Sequence, residues 1–76
     1  MQRKRLSELQ LGEQAVIISF SNLDEKHVRR LSSLGAMPGC LATVIQLSPT
    51  LVISFEQTQL ALDREISSYI LTQQVR

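Results

Sequence analysis

The stretch Arg29-RRLSSLGAMPGC-Cys40 decides how this chain is read, because it ends one kind of element and starts another. The chain holds only 3 glycines and 2 prolines in 76 residues, and two of those glycines and one of those prolines lie between Gly35 and Gly39. Gly35 stands where a helix commonly ends in the left-handed conformation. Pro38 presets the second position of a turn, and Gly39 can adopt the positive φ that a type II turn requires at its third. The two glycines therefore serve different purposes: Gly35 stops a helix and Pro38-Gly39 reverses the chain.

Upstream of this stretch the pattern is helical. Asn22 is placed to cap a helix, with Glu25 as its capping-box partner, and Asp24 and Glu25 put negative charge at the positive end of the helix dipole. Leu23, His27 or Val28, Leu31 and Leu34 recur at steps of three or four, which predicts one apolar face. Downstream the pattern is that of strands, expected over Leu41–Leu47, Leu51–Phe55, Gln59–Leu62 and Tyr69–Thr72, with a further strand, Gln14–Phe20, before the helix. Glu56–Thr58 reads as a hairpin loop, and 63–68 as a loop or single helical turn. Leu6, Leu9 and Leu11 give the opening segment an apolar edge, and Arg3, Lys4 and Arg5 read as a solvated tail. The expected fold is mainly β: a single domain over residues 1–76, a small SH3-like barrel of about five antiparallel strands, with one helix inserted after the first strand.

Composition limits the possible functions. The formal charge is +1, from 8 Lys and Arg against 7 Asp and Glu, so no extended phosphate-neutralising surface is available and nucleic acid is not favoured. A single cysteine rules out an internal disulfide and points to a reducing, cytoplasmic setting. No apolar run approaches the ~20 residues of a membrane span, and the basic start is not followed by the apolar stretch of an export signal.

Chemistry is sparse as well. Neither G-x-x-x-x-G-K-[ST] nor G-x-G-x-x-G occurs, and the lone histidine has no Gly-x-Ser-x-Gly elbow to serve. The residues expect no enzyme and no cofactor. His27 and Cys40 are weak metal-ligand candidates: His27 could pair with Asp24 or Glu25 across one helical turn, while Cys40 follows the turn and defaults to a small apolar residue. The arginines of the helix, Arg29 and Arg30, are its densest charge.

In order and spacing these motifs resemble the FeoA family, small cytoplasmic SH3-like proteins that accompany the bacterial ferrous-iron transporter FeoB. The resemblance runs from Leu6 to Thr72. It comprises Leu6, Leu9 and Gly12 as L-x-x-L-x-x-G, then Arg30, Leu31, Leu34 and Gly35 as R-L-x-x-L-G, the Pro38-Gly39 turn and Pro49. Leu60-Ala61-Leu62, Arg64, Glu65 and Ile70 complete it. This chain departs from the family at Asp63, where arginine is common, at Ser67, where alanine is usual, and at Thr72, in place of valine. It also lacks the glycine-containing loop after the proline.

The resemblance implies an accessory role in ferrous-iron uptake through contact with the cytoplasmic, GTP-binding part of FeoB. The expected contact surface is the helix and its following turn, with Arg29, Arg30, Met37 and His27 as partner-binding residues framed by Leu31, Leu34, Gly35, Pro38 and Gly39. Two alternatives remain open at this point. One is a regulatory module like the SH3-like domains of metal-dependent repressors, or a small nucleic-acid-binding barrel; the other is direct metal sensing through His27 or Cys40.

Overall fold

A computed structural model describes residues 2–75. Six strands form one antiparallel sheet: β1 (Arg3–Arg5), β2 (Gln14–Phe20), β3 (Leu41–Gln46), β4 (Leu51–Phe55), β5 (Thr58–Leu62) and β6 (Ile70–Gln74). Their spatial order is β1-β6-β2-β3-β4-β5. Helix α1 (Glu25–Ser33) is inserted between β2 and β3, and the short α2 (Arg64–Ser67) between β5 and β6. The buried cluster draws Ala15 and Ile17 from β2, Ala42 and Val44 from β3, Leu51, Ile53 and Phe55 from β4, Leu62 from β5 and Ile70 from β6. Leu6, Leu9 and Leu31 close over it, so the sheet wraps a single core in the SH3-like manner while β1 and β5 remain its two edges.

The decisive stretch folds as its residue types dictate. Gly35 has φ +96°, its N–H donates to Ser32 O at 3.0 Å, and the Ala36 N–H donates to Leu31 O at 2.9 Å. This pair of bonds is the Schellman motif, completed by the burial of both Leu31 and Ala36. Four residues later Gly39 has φ +95°, and the Cys40 N–H closes the turn on Met37 O at 3.0 Å. The reversed chain is then fastened to β2, with Gly39 N donating to Ile17 O at 2.8 Å and Ile17 N to Cys40 O at 2.9 Å.

Several expectations are corrected. The helix is capped by Asp24, not Asn22: Asp24 is extended (φ −74°, ψ 166°) and its Oδ1 accepts the His27 N–H at 2.9 Å. Asn22 is left-handed (φ 64°), whereas a cap needs extended backbone. Arg3–Arg5 is a strand, not a solvated tail. It pairs with β6 in the register Arg3↔Gln73, Lys4↔Thr72, Arg5↔Leu71, and the buried Thr72 hydroxyl donates to Lys4 O at 2.8 Å. That partner lies 68 residues away in sequence, so no local pattern announces it.

Element ends shift for similar reasons. The final strand runs Ile70–Gln74 in place of Tyr69–Thr72, because Gln73 and Gln74 find partners in β2. The β4–β5 turn is the two residues Glu56 and Gln57, since Thr58 pairs with Phe55. On β3 the small residues face inward: Ala42 and Val44 are buried while Leu41 is 44% exposed and Ile45 40% exposed. Ala42 lies directly across from the equally buried Ala15, and larger side chains such as Leu6, Ile17 and Ile53 fill that part of the interior. Leu11 is exposed at the Gln10–Glu13 turn, whose Gly12 has φ +84°.

Candidate functional site

Helix α1 places the predicted residues on two different faces. His27, Arg30, Leu31 and Leu34 recur at steps of three and four and form one wall of a groove of about 140 Å³. The opposite wall is Leu60, Ala61, Leu62 and Asp63 from β5 and its exit, together with Ile66 of α2. Leu31 is buried and anchors the helix, whereas Leu34, expected to belong to the frame, is 40% exposed and contributes to the groove wall. A second groove of about 230 Å³ lies on the far side of Asp63, between Ser7, the Leu47–Leu51 loop and α2. Both volumes fall below the roughly 300 Å³ at which small-molecule sites begin, and suit one or two inserted side chains.

The charges on α1 are unequally engaged. Arg29 lies off the groove and contacts Glu25 at 3.1 Å, with both side chains strongly exposed. Such an i,i+4 pair contributes roughly 0.3–0.5 kcal/mol and is screened by salt. Arg30 has no carboxylate partner among the described residues and sits in the last turn, where its charge complements the helix dipole. His27 Nδ1 lies 2.7 Å from Asp24 Oδ1. The Asp24 carboxyl is held below its ordinary range, first by the His27 backbone N–H donating to it and then by the His27 ring. Met37 is exposed in the turn after the helix and does not line the groove.

Cys40 is a free, partly buried thiol that packs against the core, with Sγ 3.7 Å from Leu41 O. Burial first, and the Glu56 carboxylate second, push its pKa up, which disfavours the thiolate needed for metal binding or redox attack. Among the described residues no three His, Cys, Asp or Glu side chains gather as metal ligands do. None of the described helices is long and apolar enough to cross a membrane.

Residue patterns did not reveal the opposing wall of the groove. Ala61, Asp63 and Ile66 belong to the late segment that carries the family resemblance, yet nothing local says that they face α1. The three residues that depart from the family pattern, Asp63, Ser67 and Thr72, all make hydrogen bonds here. Asp63 Oδ1 accepts the Ile66 N–H at 2.7 Å and caps α2, the buried Ser67 hydroxyl donates to Arg64 O at 2.9 Å, and Thr72 ties β1 to β6.

The structure is thus a mainly β, SH3-like module with two small grooves, the smaller of them beside the cationic helix α1. The profile of the FeoA domain matches residues 4–74, and the chain belongs to the FeoA family. Among solved structures it is similar to FeoA of Chlorobium tepidum, at 24% identity and TM-score 0.89, over 95% of this chain and 70% of that one. It is also similar to Stenotrophomonas maltophilia FeoA, solved with zinc and described as an SH3-domain protein and a candidate activating factor for ferrous iron transport. There the identity is 26% and the TM-score 0.76, over 90% of this chain and 87% of that one. The same fold forms part of T. acidophilum IdeR, with TM-score 0.88 at 15% identity, over 99% of this chain and 35% of that one. No curated protein matches the chain significantly.

Proposed function

We propose that this protein is a non-catalytic, cytoplasmic accessory of bacterial ferrous-iron uptake that contacts the cytoplasmic, GTP-binding region of the transporter FeoB. Membership of the FeoA family supports the pathway. The observation that carries the contact reading is Arg30: a cation without a carboxylate partner among the described residues, on a small groove of mixed lining in which leucine and isoleucine side chains stand beside His27 and Asp63. Arg29 and Met37 extend this surface on α1 and the following turn, and His27 contributes to the groove wall. The whole chain, residues 1–76, acts as one domain in this reading, and Leu31, Gly35, Pro38 and Gly39 hold the surface in place.

The similarity to IdeR favours a second reading, a regulatory SH3-like module of the repressor type. The two separate by experiment in cells. Arg29→Glu with Arg30→Glu impairs ferrous-iron uptake if the transporter is the partner, and leaves uptake intact while altering metal-dependent transcription if a repressor assembly is.

A further inference from the structure

The two edges of the sheet are built differently. β1 carries three consecutive cationic residues, Arg3, Lys4 and Arg5, a common means of blocking strand addition. β5, Thr-Gln-Leu-Ala-Leu from Thr58 to Leu62, has no charge, no proline and no register shift in its pairing with β4. In that hairpin Phe55↔Thr58, Ile53↔Leu60 and Leu51↔Leu62 are the hydrogen-bonded pairs flanking and following a two-residue turn. The backbone N–H and C=O groups of Gln59 and Ala61 therefore point away from β4. Among the described residues no turn, loop or side-chain hydrogen bond reaches them. Ala61 also lines the groove that Arg30 and Leu34 of α1 line, together with Asp63, whose carboxylate is engaged in capping α2.

We propose that β5 accepts an extended segment of a partner protein as an added antiparallel or parallel strand, hydrogen-bonded to Gln59 and Ala61. An apolar side chain of that segment enters the groove against Leu34 and Ile66, and an acidic one meets Arg30. Side chains i and i+2 of a strand share a face, so a segment with a β-branched residue and a carboxylate two positions apart satisfies both demands in the one groove. A second copy of this chain is the less complementary occupant, because its β5 carries no carboxylate and the Asp63 that follows is engaged in capping α2. The inference rests on the docking reading above for where the partner comes from, and adds how that partner is held.

The test titrates the isotopically labelled full chain with a capped hexapeptide, acetyl-Thr-Val-Thr-Glu-Thr-Thr-amide, in which Val and Glu share a face, followed by amide resonances and hydrogen exchange. The Gln59 and Ala61 amides shift and exchange more slowly on saturation. Ala61→Pro, at an edge N–H where proline is tolerated, weakens binding about tenfold. Methylating alternate amides of the peptide has the same effect without touching the protein, which covers the case in which the proline variant fails to fold. Replacing the peptide glutamate by lysine weakens binding to the wild type, and Arg30→Gln removes that preference. The proposal is overturned by binding that leaves Gln59 and Ala61 unperturbed, by indifference to amide methylation, by no binding at millimolar peptide, or by protection of β5 that tracks self-association without peptide. If a FeoB cytoplasmic fragment binds Ala61→Pro as well as wild type but loses Arg30→Glu, docking on the helix stands and strand addition fails.

Discussion

Gly35 and Phe55 together set the distance between helix and sheet. A Cβ on Gly35 would stand 3.3 Å from Phe55 Cε2, in a backbone with φ +96° that L residues rarely adopt. Gly35→Ala therefore meets both a left-handed backbone penalty and a packed aromatic ring, for a loss of about 1–2 kcal/mol. Gly12 is the control: its φ is +84°, but nothing lies within 4 Å of the added Cβ. Chemical denaturation is expected to rank Gly35→Ala as the more damaging substitution.

Acid sensitivity follows from two carboxylates. Glu13 is held below its ordinary value of 4.5, first by the Gln10 backbone N–H and then by the Gln74 side chain, and Asp24 below 3.8 by the His27 backbone N–H. Because the folded state binds these protons less readily than the unfolded chain, their stabilisation is complete above the ordinary values and is lost as pH falls through the folded ones. Thermal midpoints measured from about pH 6 to pH 3 should fall on the acid side. Glu13→Gln with Asp24→Asn, which keeps acceptors in place and an amide cap on α1, should flatten that fall.

Thr72 offers a test of how the first strand is held. Its buried hydroxyl donates to Lys4 O at 2.8 Å, so Thr72→Val, the residue common in the family, removes one tether of β1. The expected cost is about 1 kcal/mol, with faster hydrogen exchange confined to β1 and its β6 partners. Uniformly faster exchange would instead mean that the bond matters to the whole core.

Cys40 is expected to be a slow nucleophile. Burial and the Glu56 charge both raise its pKa, so at pH 7 a thiol reagent should modify it more slowly than a free cysteine of ordinary pKa near 9.0. Cys40→Ala should leave metal binding unchanged, as titration with ferrous iron or zinc under anaerobic conditions can check.

The parts legible in the sequence share a local physical cause. Gly35 and Pro38-Gly39 act within four residues of themselves, so a stop and a turn could be assigned before any contact was known. The strands β2, β3 and β4 announced themselves by β-branched runs between turn residues, and β5 by its place after the polar Glu56–Thr58 segment. What escaped notice depends on distant partners: β1 exists because Thr72 and the rest of β6 receive it, and the inward face of β3 carries alanine and valine because the interior is already filled. The helix cap was misplaced by two residues, since Asn22 and Asp24 are equally good caps by type and only backbone angle separates them. At the candidate site, the arginine pair and His27 were visible as residues, but their division into a groove face and a solvent face was not. Leu34 and the β5 wall became functional candidates only through packing.

The central claim is that this surface docks on the transporter through Arg30. Its most direct test is isothermal titration of the full chain with the purified cytoplasmic GTP-binding region of FeoB, wild type against Arg30→Gln and Arg30→Glu, with thermal midpoints confirming that both variants are folded. Loss of a charged contact is expected to weaken binding by roughly tenfold for Arg30→Gln, and further for Arg30→Glu. Equal affinity of all three folded proteins, or no measurable binding by the wild type, would contradict the account.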